Sequence, residues 1–202
     1  MLNFKFALTY RDATMPKIAD IQETPNPNAV KFILKEPVSY GTSHSFPTKE
    51  SAGDDELAKA LFDLDEVVSV FYMDKMITVE KTDDAEWDEV LPLMAVPIRE
   101  AEAVKTNGNG HAASAVGGAI AAAASLDDPV VREIEALLDD RIRPYLAGDG
   151  GWLEIIGLEG KTLNIRYQGA CGSCPSSLTG TLMAIENMIR DEIDPDIEVV
   201  AV

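Results

Sequence analysis

Cysteine is scarce: the 202-residue chain has two, Cys171 and Cys174, three positions apart. That excludes the disulfide framework of a secreted domain, and the expected home is a reducing cytoplasm. Basic residues are also few, 17 Lys and Arg against 35 Asp and Glu, giving a formal net charge of −18 and a pI near 4.3. Nucleic acids and anionic membranes select cationic surfaces, so neither is an expected partner. No apolar run approaches the ~18 residues of a membrane span. Met1 to Thr14 is broken by Lys5 and Arg11 and lacks the apolar core of a signal peptide. Residues 1–14 are therefore expected to be a disordered extension ahead of Met15-Pro16. Histidine occurs twice, His44 among turn formers and His111 in an Ala/Gly-rich stretch. Both are expected at the surface rather than as ligands.

What the chain does have is 46% hydrophobic residues, enough for globular cores. Residues 105–125 (KTNGNGHAASAVGGAIAAAAS) show neither strand nor amphipathic pattern, which reads as a flexible linker. The expected class is α+β: two small α/β-layered domains, residues 15–104 and 126–202, joined by that linker. In the first domain, Ile18 to Glu23 and Val30 to Lys35 read as strands around the turn-rich Thr24-Pro25-Asn26-Pro27-Asn28. A loop through Gly41, His44 and Pro47 follows, then a helix from Asp54 to Leu64. Val67 to Tyr72 and Met76 to Lys81 read as a hairpin. Asp84 to Ala103 is helical in pattern, but Pro92 and Pro97 predict a kink or split.

The second domain reads as α-β-β-α-β with a three-stranded mixed sheet. Asp128-Pro129 is an N-cap followed by proline at the first helical position. Val131, Ile134, Leu138 and Ile142 form the buried stripe, and Pro144 discourages extension. Trp152 to Leu158 and Lys161 to Gln168 make a hairpin, Ser176 to Glu192 a helix, and Ile197 to Val202 the last strand. Right-handed crossover predicts that strand parallel to the second, on the far side of the first.

Both cysteines fall between the alternating Leu163, Ile165, Tyr167 and the helical stripe Leu178, Leu182, Ile185, Ile189, Ile193. They therefore occupy a strand-to-helix turn, with Cys174 at or beside the helix N-cap. Free N–H groups and the helix dipole favour thiolate there. Thiolates bind soft metals and attack disulfides.

Gly169-Ala170-Cys171-Gly172-Ser173-Cys174-Pro175-Ser176-Ser177, with Asp149-Gly150-Gly151 some twenty residues earlier, resembles the C-terminal domain of NifU, shared by Nfu-type iron–sulfur scaffold and carrier proteins. Gln22 to Asn28, Lys31-Phe32 and the Phe71 hairpin are similar to the N-terminal domain of eukaryotic-style Nfu proteins. The resemblance implies that Cys171 and Cys174 bind an iron–sulfur cluster, usually [4Fe–4S], shared between subunits. It also implies transfer to client apoproteins, upstream assembly partners, a cluster-bridged homo-oligomer, and no catalysis.

The chemistry agrees: a cluster wants four thiolates and one chain offers two. Zn²⁺ suits the same S₄ set, and the sequence does not exclude it as an adventitious occupant. Three other readings compete. A thiol–disulfide oxidoreductase would use the same C-x-x-C, but that motif belongs in a βαβ context. Inert packing cysteines fit poorly on a Gly/Ser-flanked turn. An interaction adaptor suits the first domain best.

Overall fold

The computed structural model describes residues 17–101, 128–172 and 175–202; the expected extension 1–14, the expected linker 105–125, His111 and Cys174 lie outside the described residues. The first part contains β1 (Ile18–Glu23), β2 (Ala29–Leu34), β3 (Ser43–Phe46), α1 (Glu56–Phe62), β4 (Val67–Met73), β5 (Met76–Lys81) and α2 (Trp87–Glu100). The second contains α3 (Pro129–Arg141), α4 (Arg143–Gly148), β6 (Gly151–Glu159), β7 (Thr162–Gly169), α5 (Pro175–Glu192) and β8 (Glu198–Ala201). The architecture is α+β, as the sequence predicts. Among the described residues no helix is long and apolar enough to cross a membrane.

The first sheet has the order β1-β2-β5-β4-β3, with every neighbouring pair antiparallel. Alternation sorts its faces. Val30, Phe32, Leu34, Val70, Tyr72, Ile77 and Val79 join the core beneath α1 and α2. Lys31, Phe71 and Thr78 point the other way, yet each is buried. The C-terminal part covers them. Thr78 Oγ1 donates to the Gly150 carbonyl at 2.7 Å, and Lys31 Nζ donates to the carbonyls of Ala147 and Gly148 at 3.2 and 2.6 Å.

Three expectations for this part are corrected. The segment read as a loop through His44 contains β3, an edge strand paired with β4. His44 is half-buried, its ring stacked on Tyr72 with centroids 4.5 Å apart, rather than at the surface. Of the kink or split expected at Pro92 and Pro97, the split does not occur: α2 runs through both. A helix-interior proline costs ~3 kcal/mol or more. Against this, Val90, Met94 and Ile98 are buried, each worth ~1.5–3 kcal/mol. Trp87 and Leu91 pack on the same core. Packing therefore outweighs the missing N–H groups.

The stacked His44 yields a pH test. Burial lowers its pKa below 6.5, and the Asp55 carboxylate offsets this only in part. The unfolded chain therefore takes up a proton near pH 6.5 that the folded chain resists. Stability from this residue is present above pH 6.5 and lost as pH falls below it. A His44→Gln variant is expected to lose less melting temperature than wild type between pH 7.5 and 5.5. Parallel thermal melts check this, and identical slopes would remove His44 as the titrating group.

In the second part, α3 starts as the sequence predicts, with Asp128 accepting from the Val130 N–H at 2.8 Å. As expected, α3 ends ahead of Pro144, at Arg141; Pro144 then sits in the first turn of a separate helix α4, where its missing N–H is no loss. The buried Arg143 ties α4 down. Its Nε donates to the Leu153 carbonyl at 3.0 Å, its guanidinium pairs with Glu135 and Asp139, and it stacks on Trp152. Strand order is β6-β7-β8, with β8 parallel to β7 as expected. However, β8 lies beside the second strand of the hairpin rather than beyond the first. A crossover through α5 returns the chain to the open edge of the strand it left.

Candidate functional site at the cysteine turn

The turn is built from the end of β7 and the turn before β6. Gly169 has φ +66°, in the left-handed region that suits glycine. A Cβ there would lie 2.5 Å from the Gly150 carbonyl oxygen. That oxygen also accepts from the Ala170 N–H at 3.1 Å, so the Gly150 turn and the cysteine turn are joined by backbone. The Gly172 N–H closes the cysteine turn on the Gly169 carbonyl at 3.0 Å. Helix α5 begins at Pro175, directly after Cys174, and buries Ile185 and Ile189 in the C-terminal core.

The Gly/Ser-flanked turn does bury Cys171, against the expectation that packing fits it poorly. Cys171 is 4% exposed and packs in one cluster with Leu153, Ile165 and Ile185. Gly151 makes this possible, because a Cβ on it would sit 2.4 Å from Cys171 Sγ and 2.8 Å from its Cβ. In the sequence the Asp149-Gly150-Gly151 run carries the family resemblance and turn-forming glycines. Its further role, room for the sulfur, depends on β6 and β7 pairing Gly151 opposite Gly169.

Tyr167 is a strand residue by its alternation with Leu163 and Ile165. Its hydroxyl is buried and makes no hydrogen bond among the described residues. Its pKa is pushed up to about 12, first by burial and then by electrostatic repulsion from Cys171. The two side chains therefore share one electrostatic environment. His44 is not brought here: it stacks on Tyr72, which lies on the helix-covered side of the first sheet. Among the described residues no three His, Cys, Asp or Glu side chains gather to hold a metal ion.

Fold and turn define a two-part chain that carries a C-x-x-C between a strand and a helix, next to a glycine turn. Residues 18–103 match the family model described as "Scaffold protein Nfu/NifU N terminal", and residues 134–200 match the "NifU-like domain". The human "NFU1 iron-sulfur cluster scaffold homolog, mitochondrial" is 36% identical over 184 residues, covering 88% of this chain and 68% of that protein. "NifU-like protein 5, mitochondrial" of Arabidopsis thaliana is 37% identical over 175 residues, covering 83% and 62%. A crystal structure of protein SAV1430 from Staphylococcus aureus is similar with 31% identity and a TM-score of 0.36, covering 40% of this chain and 96% of that one. The chain belongs to the Nfu/NifU family. It spans about three fifths of the length of several curated relatives that it matches.

Proposed function

We propose that this chain is an iron–sulfur cluster scaffold and carrier. Cys171 and Cys174 from two copies hold one cluster, [4Fe–4S], received from upstream assembly proteins and passed to client apoproteins. The observation that carries the reading is the C-x-x-C placed between β7 and α5, in a chain whose relatives bear the name iron–sulfur cluster scaffold. The donor set fits. Both cysteines of the chain lie on this turn, sulfur suits iron, and two copies complete four thiolates. A cluster held between copies can leave when they part, which suits a carrier and requires no catalytic group. The thiols call for a reducing compartment, which the cytoplasm and the mitochondrial interior named for the relatives both supply.

The test is anaerobic loading of the full chain with iron and sulfide, followed by light scattering and metal analysis. The apo chain is expected to be monomeric. The −18 charge on each copy opposes pairing, within a Debye length of ~8 Å at physiological ionic strength. The loaded chain should be brown, with iron and acid-labile sulfide in similar amounts and one cluster per two chains. A loaded monomer would sink the bridging, and a colourless chain that catalytically reduces disulfides would establish the oxidoreductase instead.

A further inference from the structure

The face of the first sheet opposite its helices is occupied by the two turns that build the cysteine site. Lys31 on β2 donates to the last carbonyls of α4, and Thr78 on β5 donates to Gly150. Phe71 on β4 is 1% exposed although it belongs to neither apolar core cluster. It lies against Gly169, where a Cβ would come within 3.0 Å of its ring. Gly150 is equally confined, since a Cβ there would meet Thr24 at 3.0 Å and Thr78 at 3.2 Å. The contact is therefore shaped for glycine backbone and closed by buried donors. It is not sealed: a cleft of 270 Å³, lined by Phe46, Pro47, Ser69, Tyr167 and Gly172 among others, opens between sheet and turn.

We propose that this sheet face is a seat for the cysteine turn of its own chain, and that it competes with a second copy for that turn. Seated, the apo chain is closed; cluster bridging requires the turn to leave the seat. The inference rests on the cluster reading for its consequence but not for the seat itself. The competition follows from chain connectivity. A partner on the same chain acts at an effective concentration on the order of millimolar, which a second copy at micromolar concentration does not match. Four iron–thiolate bonds change that balance, and the vacated face is left free once the cluster is in place.

The test uses Thr78→Val and Lys31→Met, singly and together, in the full chain. Both substitutions keep side-chain bulk on the strands and leave the cysteines and both core clusters untouched. Each lost buried hydrogen bond should raise the open population roughly fivefold. In the apo protein, amide exchange across residues 147–151 and 169–172 should therefore accelerate about fivefold in Thr78→Val and more in the double variant. The radius of gyration from small-angle scattering should increase. Loading with iron and sulfide should be several-fold faster in the double variant. Unchanged exchange in a double variant that melts like wild type would overturn the seat. Faster exchange with unchanged or slower loading would overturn the competition. Faster exchange with no cluster on either protein would support the seat and overturn the cluster reading.

Discussion

Replacing Cys171 with serine is expected to abolish the visible absorption of the loaded protein and the mass shift that accompanies it. One substitution removes two of the four thiolates from a site shared between copies. The remaining Cys174 pair cannot complete the coordination of a cluster that takes four. A serine hydroxyl is a hard donor that stays protonated at neutral pH, so it does not stand in for a soft thiolate. The fold should persist. Serine is close to cysteine in size, and its Oγ fits the space that Gly151 leaves for Sγ. Burying a hydroxyl there costs at most ~1–3 kcal/mol, below the stability of an ordinary domain. Far-UV dichroism and melting of the apo variant separate lost ligation from lost folding. Wild-type iron content in a folded Cys171→Ser chain would show that the cluster uses other ligands. Cys174→Ser is expected to behave the same way, with identical readouts.

Much of this site was legible in the sequence because strand and helix periods change on either side of the cysteines. Leu163 and Ile165 are buried on β7, and Ile185 and Ile189 on α5, so the turn between them had to join those elements. The edge strand β3 was missed because Ser43-His44-Ser45-Phe46 is short, polar and followed by Pro47. It is held by pairing with β4 rather than by its own pattern. The unsplit α2 was missed because a local rule about proline was weighed without the core that Val90, Met94 and Ile98 enter. The seat was invisible for a different reason. Lys31 and Thr78 occupy the polar positions of alternating strands, and alternation reports that such positions leave one core without saying what covers them. The burial of Cys171 likewise depends on Gly151 lying across the sheet from Gly169, a long-range pairing that no window of sequence contains.

Gly151→Ala is expected to release the cluster and lower the melting temperature, whereas Gly148→Ala, three residues earlier, should do neither. The contrast comes from what each new methyl group meets. At Gly148 there is nothing within 4 Å, so an added Cβ enters open space. At Gly151 the same atom would lie 2.4 Å from Cys171 Sγ, 2.8 Å from Cys171 Cβ and 2.9 Å from the Gln168 carbonyl oxygen. All three distances are shorter than van der Waals contact, and the last partner is backbone. Rotating Sγ away relieves one clash but leaves the Cβ and carbonyl contacts, so the paired ends of β6 and β7 must also shift. Overpacking of this kind typically costs ~1–3 kcal/mol. For a domain of this size that corresponds to a melting decrease of roughly 4–8 °C per kcal/mol. The functional effect should be larger than the stability effect. The shifted strand ends carry the cysteine turn itself, so they misplace the turn from which the sulfurs must reach the cluster and the partner copy. The measurements are apo melting temperature and the half-life of the visible absorption after loading, for wild type and both variants. Equal cluster half-lives in Gly151→Ala and Gly148→Ala would mean that the seating of Cys171 against Gly151 has no part in holding the cluster.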